Sequence, residues 1–341
     1  MSLPARWVVL GAALLLFGAV GFELGRYTGG TGAPALEASG STPLESLVYL
    51  PPGGPIEHWD SSSVAVLSMG LVLEYLDSGD RAAIAAAGHL FESPLPPDTV
   101  GGEHDTFRWF CEFELADAAG RAEMLENPDG RRFVEYFSPN NWERLRSFVS
   151  AKLELAPLDA DEFLFLDELV RFNSPYRAPW DHPERVLAAL DLQPGQRVAD
   201  IGSGPGYYSF RLASEVGSEG KVFAVEMNRN DLVYIQSVAT AEGLDNLEVV
   251  YTDGAFPDLP DASLDRVFMC ASYQALYLWT PERERLEWAA DLVRALEPGG
   301  LMVVVENELF LPEGVFPFRG LRIASPLIAG QLEAFGLEIV S

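Results

Sequence analysis

The carboxy-terminal half of the chain is predicted to fold as an α/β domain with a doubly wound, mostly parallel sheet. Three observations predict this fold class. From residue 176 onward, short apolar runs that suit buried strands alternate with longer runs that suit helices. One of these strands leads into a glycine-rich turn that opens a helix. Acidic residues stand at the ends of three successive strands, at Asp200, Glu226 and Asp253.

The individual elements of residues 176–341 follow from the hydrophobic pattern. Short apolar runs predict strands at 197–201, 221–226, 247–251, 265–271, 301–306 and 337–340. Longer runs predict helices at 208–216, 229–242, 281–296 and 326–335. Thr280 is the expected cap of the helix over 281–296. Strands that alternate with helices in this way predict one parallel sheet covered by helices.

Residues 58–175 are predicted to form a helical domain of four to six helices. The clearest segments, in which apolar residues recur at three- and four-residue steps, begin at about Ser61 and at 107–115, 142–153 and 163–172. Ser138 with Pro139 is the expected start signal of the third segment, and Asp159 with Glu162 is that of the fourth. We interpret the aromatic residues of this region as its core, and it carries no motif that indicates chemistry.

Residues 1–27 are predicted to be a transmembrane anchor or a signal sequence. Trp7 to Phe22 is sixteen residues long and has no charge. A helix of that length spans about 24 Å, slightly less than the ~30 Å of a bilayer core. Arg6 and Arg26 could reach the two membrane surfaces and make the span feasible. A cleaved signal peptide, with small residues at 33–35, remains the alternative.

Residues 28–57 are rich in Gly, Pro, Ser and Thr, which is typical of a flexible linker.

The composition of the whole chain excludes some classes of partner. The whole chain carries 51 acidic against 23 basic side chains, a net charge of −28. Nucleic acid is therefore not an expected partner, because its binding depends on neutralising phosphates with Lys and Arg. Two cysteines and four scattered histidines give no disulfide framework and no spacing typical of a metal site.

The strongest motif is the glycine-rich turn that follows the strand at 197–201. It reads Asp200-Ile-Gly202-Ser203-Gly204-Pro-Gly206. Glycines allow a tight turn and let backbone N–H groups approach a ligand with no Cβ in the way. The spacing is G-x-G-x-G, which differs from the G-x-G-x-x-G spacing typical of dinucleotide binding.

The run from Trp180 to Glu306 resembles the class I S-adenosylmethionine-dependent methyltransferases, which have a Rossmann-like fold. Four ordered motifs carry the resemblance: DxGxGxG at 200–206, GKVFAVE at 220–226, LDRVF at 264–268 and LEPGG at 296–300. The resemblance implies S-adenosylmethionine as the cofactor. The implied cofactor-binding residues are Asp200, Gly202, Ser203, Gly204 and Gly206 for its amino-acid end, Glu226 for its ribose, and Asp253 with Gly254 for its adenine.

The sequence does not identify a catalytic residue. In this family, substrate groups usually come from the loop after the fourth strand, which here reads Cys270 to Leu276 and has no histidine or carboxylate. Ser272 and Tyr273 are the candidates for substrate contact. The family sheet usually ends with an antiparallel seventh strand, whereas the last strand predicted here ends at residue 340. The sheet is therefore expected to lack its last strand, or to be completed by something else.

Two functions remain open at this point. The first is a membrane-anchored methyltransferase that acts on a small molecule, a lipid-like compound or a protein. The second is a non-catalytic, methyltransferase-like subunit that scaffolds or caps a larger membrane protein complex. The anchor places either one as a single-pass protein of a bacterial inner membrane. The charges flanking the apolar run place the soluble part outside the cytoplasm, whereas a cytoplasmic cofactor requires the inside, so the side stays unresolved.

Overall fold

The computed structural model describes residues 6–10, 61–91, 102–306 and 325–340. Its strands are β1 (Arg6–Leu10), β2 (Arg197–Ile201), β3 (Lys221–Glu226), β4 (Leu247–Tyr251), β5 (Leu264–Cys270), β6 (Leu296–Val305) and β7 (Glu338–Ile339). They form one sheet in the order β4-β3-β2-β5-β6-β1-β7, and all six pairs of neighbouring strands among the described residues are parallel. The predicted class, a mostly parallel Rossmann-like sheet, is confirmed.

Helices of the amino-terminal region are α1 (Ser61–Ser78), α2 (Arg81–Phe91), α3 (Gly102–Leu115), α4 (Ala118–Met124), α5 (Pro128–Phe137), α6 (Glu143–Lys152) and α7 (Ala160–Phe172). Those of the sheet region are α8 (Ala178–Asp181), α9 (Pro183–Leu190), α10 (Tyr207–Val216), α11 (Arg229–Glu242), α12 (Tyr273–Trp279), α13 (Glu282–Ala295) and α14 (Ser325–Ala334). Both faces of the sheet are covered. Val222 and Phe223 are neighbours on β3, yet they belong to separate buried clusters, because successive side chains of a strand point to opposite faces.

The strand at the amino terminus differs from the sequence prediction. The sequence predicts that residue 7 begins an apolar membrane helix, whereas residues 6–10 form β1, which pairs with β6 and β7. A short apolar run cannot be assigned to helix or strand by periodicity alone, and Val8 and Val9 are β-branched residues that suit a strand. Residues 11–27 lie outside the described residues. Among those that are described, no helix is long and apolar enough to cross a bilayer.

β1 also takes the place in the sheet where the sequence predicts a missing last strand. The sequence predicts that the sheet lacks its last strand or is completed by another segment. In the structure, β1 lies between β6 and β7, so a segment from the start of the chain occupies that position. Its pairing with both neighbours is parallel, unlike the antiparallel strand that the resemblance implies there.

The described part of residues 58–175 contains seven helices, one more than the upper limit predicted. Asp159 caps α7 as predicted, since its side chain accepts hydrogen bonds from the backbone N–H groups of Asp161 and Glu162. The start signal assigned to Ser138 is wrong. Ser138 ends α5, and α6 begins after Trp142, whose left-handed backbone sets the turn without a side-chain cap.

This helical layer packs directly on the sheet's own helices. The ring of Tyr136 in α5 meets that of Tyr234 in α11 edge to face at 5.1 Å, and Phe165 of α7 lies 5.8 Å from the same ring. All three residues lie in or against one cluster of buried side chains that continues into the sheet. The two regions therefore share a hydrophobic core.

A salt bridge between Arg132 and Glu242 also joins α5 to α11. The Arg132 guanidinium donates from Nε to Glu242 Oε1 at 2.7 Å and from a terminal nitrogen to Glu242 Oε2 at 2.6 Å. It also lies over the ring of Phe210, 4.3 Å from the ring centroid. A bidentate pair of this kind fixes the angle between two elements as well as holding them together.

We expect Arg132→Met to lower the free energy of unfolding by about 1 kcal/mol, because the exposed Glu242 carboxylate loses a bidentate partner whose own side chain is largely covered. Denaturant titration at pH 7 measures this loss. Arg131→Met is the matched control, since Arg131 is exposed on the same helix. Equal stability of the two variants would show that the salt bridge does not hold the layers together.

Candidate functional site

The glycine-rich turn joins the carboxyl end of β2 to α10. Backbone N–H groups of Gly202 and Ser203 donate to the carbonyl of Val225 in β3, at 2.9 and 3.1 Å. Gly202, Gly204 and Gly206 all have positive φ, at 71°, 49° and 82°. That backbone conformation strains other residues, so the turn depends on glycine at these positions.

The three glycines differ in what surrounds them. A Cβ on Gly202 would lie 2.6 Å from the Cβ of Ser272, and one on Gly206 would lie 2.8 Å from Ile235 Cγ1. A Cβ on Gly204 would meet nothing within 4 Å. Gly202 and Gly206 therefore allow close packing of the turn, whereas Gly204 borders open space that a ligand could fill.

Glu226, at the end of β3, is brought directly against this turn. Its Oε2 accepts a hydrogen bond from Gly204 N at 2.9 Å. Its Oε1 accepts from Met227 N at 2.6 Å and from Asn228 N at 3.1 Å. The carboxylate thus lies beside the open space at Gly204, held by three backbone donors.

Asp253 and Gly254 lie beyond the end of β4, on the other side of Glu226. Thr252 N donates to the carbonyl of Glu226 at 3.1 Å, which ties this loop to the end of β3. Asp253 is exposed, and a Cβ on Gly254 would lie 3.7 Å from Met227 Cε. The structure therefore aligns the three implied regions, the glycine turn, Glu226 and Asp253 with Gly254, along one edge of the sheet.

Asp200 lies beneath the turn. It is 2% exposed, and its Oδ2 accepts a hydrogen bond from Ser209 Oγ in α10 at 2.6 Å. Burial raises the pKa of this carboxyl to about 7, although the Ser209 hydrogen bond favours its ionised form. This hydrogen bond holds the start of α10 against β2. A contact between Asp200 and the cofactor stays a prediction.

The hydroxyls of the two candidate substrate contacts are both engaged in hydrogen bonds. Ser272 Oγ donates to the carbonyl of Ile201 at 2.8 Å, at the end of β2. Tyr273 is 3% exposed, and its hydroxyl donates to Gln331 Oε1 of α14 at 2.9 Å. Ser272 therefore supports the glycine turn from below, while Tyr273 packs α12 against α14. Neither hydroxyl is placed toward the open space at Gly204 by these contacts.

Comparisons with known proteins match the part of the chain that forms this site. A family model described as a methyltransferase domain matches residues 198–300. The protein-L-isoaspartate O-methyltransferase of Methanothermobacter thermautotrophicus is 32% identical over 164 residues, which are 47% of this chain and 69% of that protein. The enzyme of the same name from Methanococcus maripaludis is 36% identical over 117 residues, 34% of this chain and 55% of that protein. The chain thus spans about half to two thirds of these relatives.

Two further similarities were found. The demethylmenaquinone methyltransferase of Geobacillus kaustophilus is 26% identical over 160 residues, 46% of this chain and 64% of that protein. A crystal structure of an S-adenosylmethionine-dependent methyltransferase from Aquifex aeolicus covers 54% of this chain and 92% of its own, at 26% identity and a TM-score of 0.43.

The family match and the Methanothermobacter relative define the class. The chain belongs to the class I S-adenosylmethionine-dependent methyltransferases. S-adenosylmethionine is its cofactor, and the residues present fit that molecule. Gly204 leaves room where a side chain would intrude, and the Glu226 carboxylate beside it can accept hydrogen bonds from ribose hydroxyls.

Next to Glu226 lies a buried carboxyl pair that the sequence did not reveal. Glu168 of α7 and Asp231 of α11 belong to the two different layers, and Asp231 is fully buried. Both oxygens of Asp231 lack a hydrogen bond from any N–H or hydroxyl group of the described residues. Burial, followed by the neighbouring Glu168, raises the pKa of Asp231 to about 10, and burial also raises that of Glu168. The pair therefore holds a proton at neutral pH.

This pair makes stability depend on pH. Its folded pKa lies above the ordinary value of about 4, so the folded state binds more protons than the unfolded state between those values. The contribution to stability is complete at acidic pH and is lost as the pH rises toward 10.

We expect Asp231→Asn to raise the free energy of unfolding at pH 9 by about 2 kcal/mol relative to the wild type, because an amide can donate to Glu168 without needing a proton. At pH 5 the difference should shrink or change sign. Denaturant titrations at the two pH values measure it. Asp245→Asn, at an exposed loop position, is the control and should leave the pH dependence as it is. An unchanged slope in Asp231→Asn would exclude a shared proton.

Proposed function

We propose that this chain is a catalytically active methyltransferase and not a non-catalytic subunit. The supporting observation is the arrangement at the carboxyl edge of the sheet, where the open space at Gly204 meets the Glu226 carboxylate. A scaffold has no need for that space. The relatives named above act on isoaspartyl protein or on demethylmenaquinone, so the acceptor is proposed to be a small molecule or a protein.

The chain's own residues perform mainly binding and orientation. The turn over 202–206 would hold the amino-acid end of the cofactor, Glu226 its ribose, and Asp253 with Gly254 its adenine. When bound, S-adenosylmethionine supplies a methyl group attached to a positively charged sulfur. Holding an acceptor in line with that group lowers the barrier, because the cost of bringing two molecules together is met by binding.

Binding of the cofactor is tested by calorimetry with Gly204→Val. We expect this variant to lose measurable heat with S-adenosylmethionine, because the new side chain fills the space that the ligand needs. Gly195→Val is a closely matched control: Gly195 also has positive φ and open surroundings, but it lies in the turn before β2, at the opposite edge of the sheet.

Both variants place a valine at a positive φ, 49° at Gly204 and 88° at Gly195, so backbone strain is expected in both, and a loss of heat confined to Gly204→Val reports the ligand space. No heat from the wild type at millimolar cofactor would remove the enzymatic proposal and leave the non-catalytic subunit as the better description.

Attachment to a bacterial inner membrane is a separate proposal and rests on the apolar run from Trp7 to Phe22. A helix across that whole run would have to release β1 from the sheet, because residues 6–10 cannot take part in both. Fractionation of cells tests it. We expect the full chain to stay with membranes after an alkaline carbonate wash and a chain without residues 1–27 to be released. A full chain that appears in the soluble fraction would contradict the anchor.

A further inference from the structure

His182 stands between α8 and α9 in a left-handed backbone conformation, with φ 50° and ψ 53°. Residues other than glycine seldom adopt this conformation, and it is often found at functional sites. The side chain is 48% exposed, so a ligand can reach it.

The direction of α9 places His182 at the cofactor edge. Arg266, in the first half of β5, donates to the carbonyls of Leu190 and Asp191 at the end of α9. Arg177, which precedes α9, lies 3.8 Å from the sulfur of Cys270 at the end of β5. The helix therefore runs antiparallel to β5, and its first residues lie at the carboxyl edge of the sheet.

The residue before His182 is fixed to that same edge. Asp181 Oδ2 accepts a hydrogen bond from the Tyr208 hydroxyl at 2.5 Å, and Tyr208 lies in the first turn of α10, two residues after Gly206. The same oxygen lies 3.2 Å from Arg177 Nε. These contacts join the segment before α9 to the glycine turn and to the end of β5.

His182 also has a carboxylate on one side of its ring. Glu184 Oε1 lies 3.5 Å from Nδ1. Both side chains are exposed, and with the carboxylate on the Nδ1 side of the ring, Nε2 is the nitrogen that remains to face an acceptor.

Building on the proposed function, we propose that His182 is the general base of this methyltransferase and that its acceptor is a neutral hydroxyl compound of the phenol or hydroquinone class. When bound, the cofactor contributes the methyl carbon, and the carbon–sulfur bond breaks with its electron pair kept by sulfur. The acceptor oxygen supplies the electron pair of the new bond to carbon. Its proton passes to His182 Nε2 and then to water.

The acceptor class follows from charge and acidity. A carboxylate acceptor, such as isoaspartate, is already ionised at neutral pH and needs no base. It would also approach an edge that carries Asp181, Glu226 and Asp253, while the guanidinium of Arg177 is already paired with Asp181. A phenol is neutral at pH 7 and has an ordinary pKa of about 10, within reach of an imidazole base.

The first experiment compares His182→Gln with the wild type on two acceptors, a naphthohydroquinone, assayed for methyl transfer to its oxygen, and an isoaspartyl peptide. Transfer to the hydroquinone should fall about 10²- to 10⁴-fold in the variant, whereas the affinity for S-adenosylhomocysteine should not change. His89→Gln, at an exposed histidine of α2, is the control and should keep the wild-type rate.

The pH profile adds a readout that a structural role would not change. The pH dependence of the rate should differ between the wild type and His182→Gln, because only the wild type has a proton acceptor at this position. The charged and titratable groups around this position are Glu184 on its own helix, Asp181 and Arg177 before it, and Tyr208 and Cys270 on the neighbouring elements. A variant within about threefold of the wild type on every acceptor that the wild type methylates would overturn the proposal.

A second experiment needs no turnover. Diethyl pyrocarbonate modifies exposed histidines, and peptide mass spectrometry follows His182 and His89 separately. We expect bound S-adenosylhomocysteine to slow modification of His182 several-fold and to leave His89 unaffected. Unchanged modification of His182 despite measured binding would overturn the assignment of the base while leaving the cofactor site intact. Absence of binding would instead remove the proposed function itself.

Discussion

The site depends on one hydrogen bond, from the backbone N–H of Gly204 to the carboxylate of Glu226. The two residues are 22 positions apart in the chain, and they lie at the ends of two neighbouring parallel strands. Parallel strands present their carboxyl ends at one edge, so a turn after β2 and an acid after β3 must meet there. Around that contact, Ser272 supports the turn from below, and Asn173 of the helical layer donates to the carbonyl of Pro205 within it, at 2.8 Å.

Sequence patterns predicted the sheet well where local and tertiary preferences agree. The bounds of β2, β3, β4 and α11 match the predicted ranges, because each is a continuous apolar or amphipathic run that ends at a glycine or a polar turn. The loop predicted over 270–276 contributes its residues from Tyr273 onward to α12, since a helix of seven residues leaves too short a pattern to recognise. The assignments at Ser138 and at residues 6–10 failed because tertiary contacts decide between structures that the local sequence allows equally.

The features that escaped prediction at the site are pairings across the fold. Nothing in the sequence spacing brings Glu168 to Asp231, or Asp181 to Tyr208, since each pair joins two helices that meet only in the folded chain. They also change the electrostatics of the edge. Burial raises the pKa of Asp200 to about 7 and that of Asp231 to about 10, so these two carboxyls carry less negative charge at neutral pH than composition counts.

The helical layer and the sheet share one hydrophobic core, and this affects how the chain unfolds. Because Tyr234 packs against rings from α5 and α7, removal of either region would expose a large apolar surface on the other. Regions joined in this way melt together in a single cooperative transition, unlike modules connected by a tether. We therefore expect residues 176 onward, cut out as a fragment, to expose apolar surface that the helical layer covers in the whole chain.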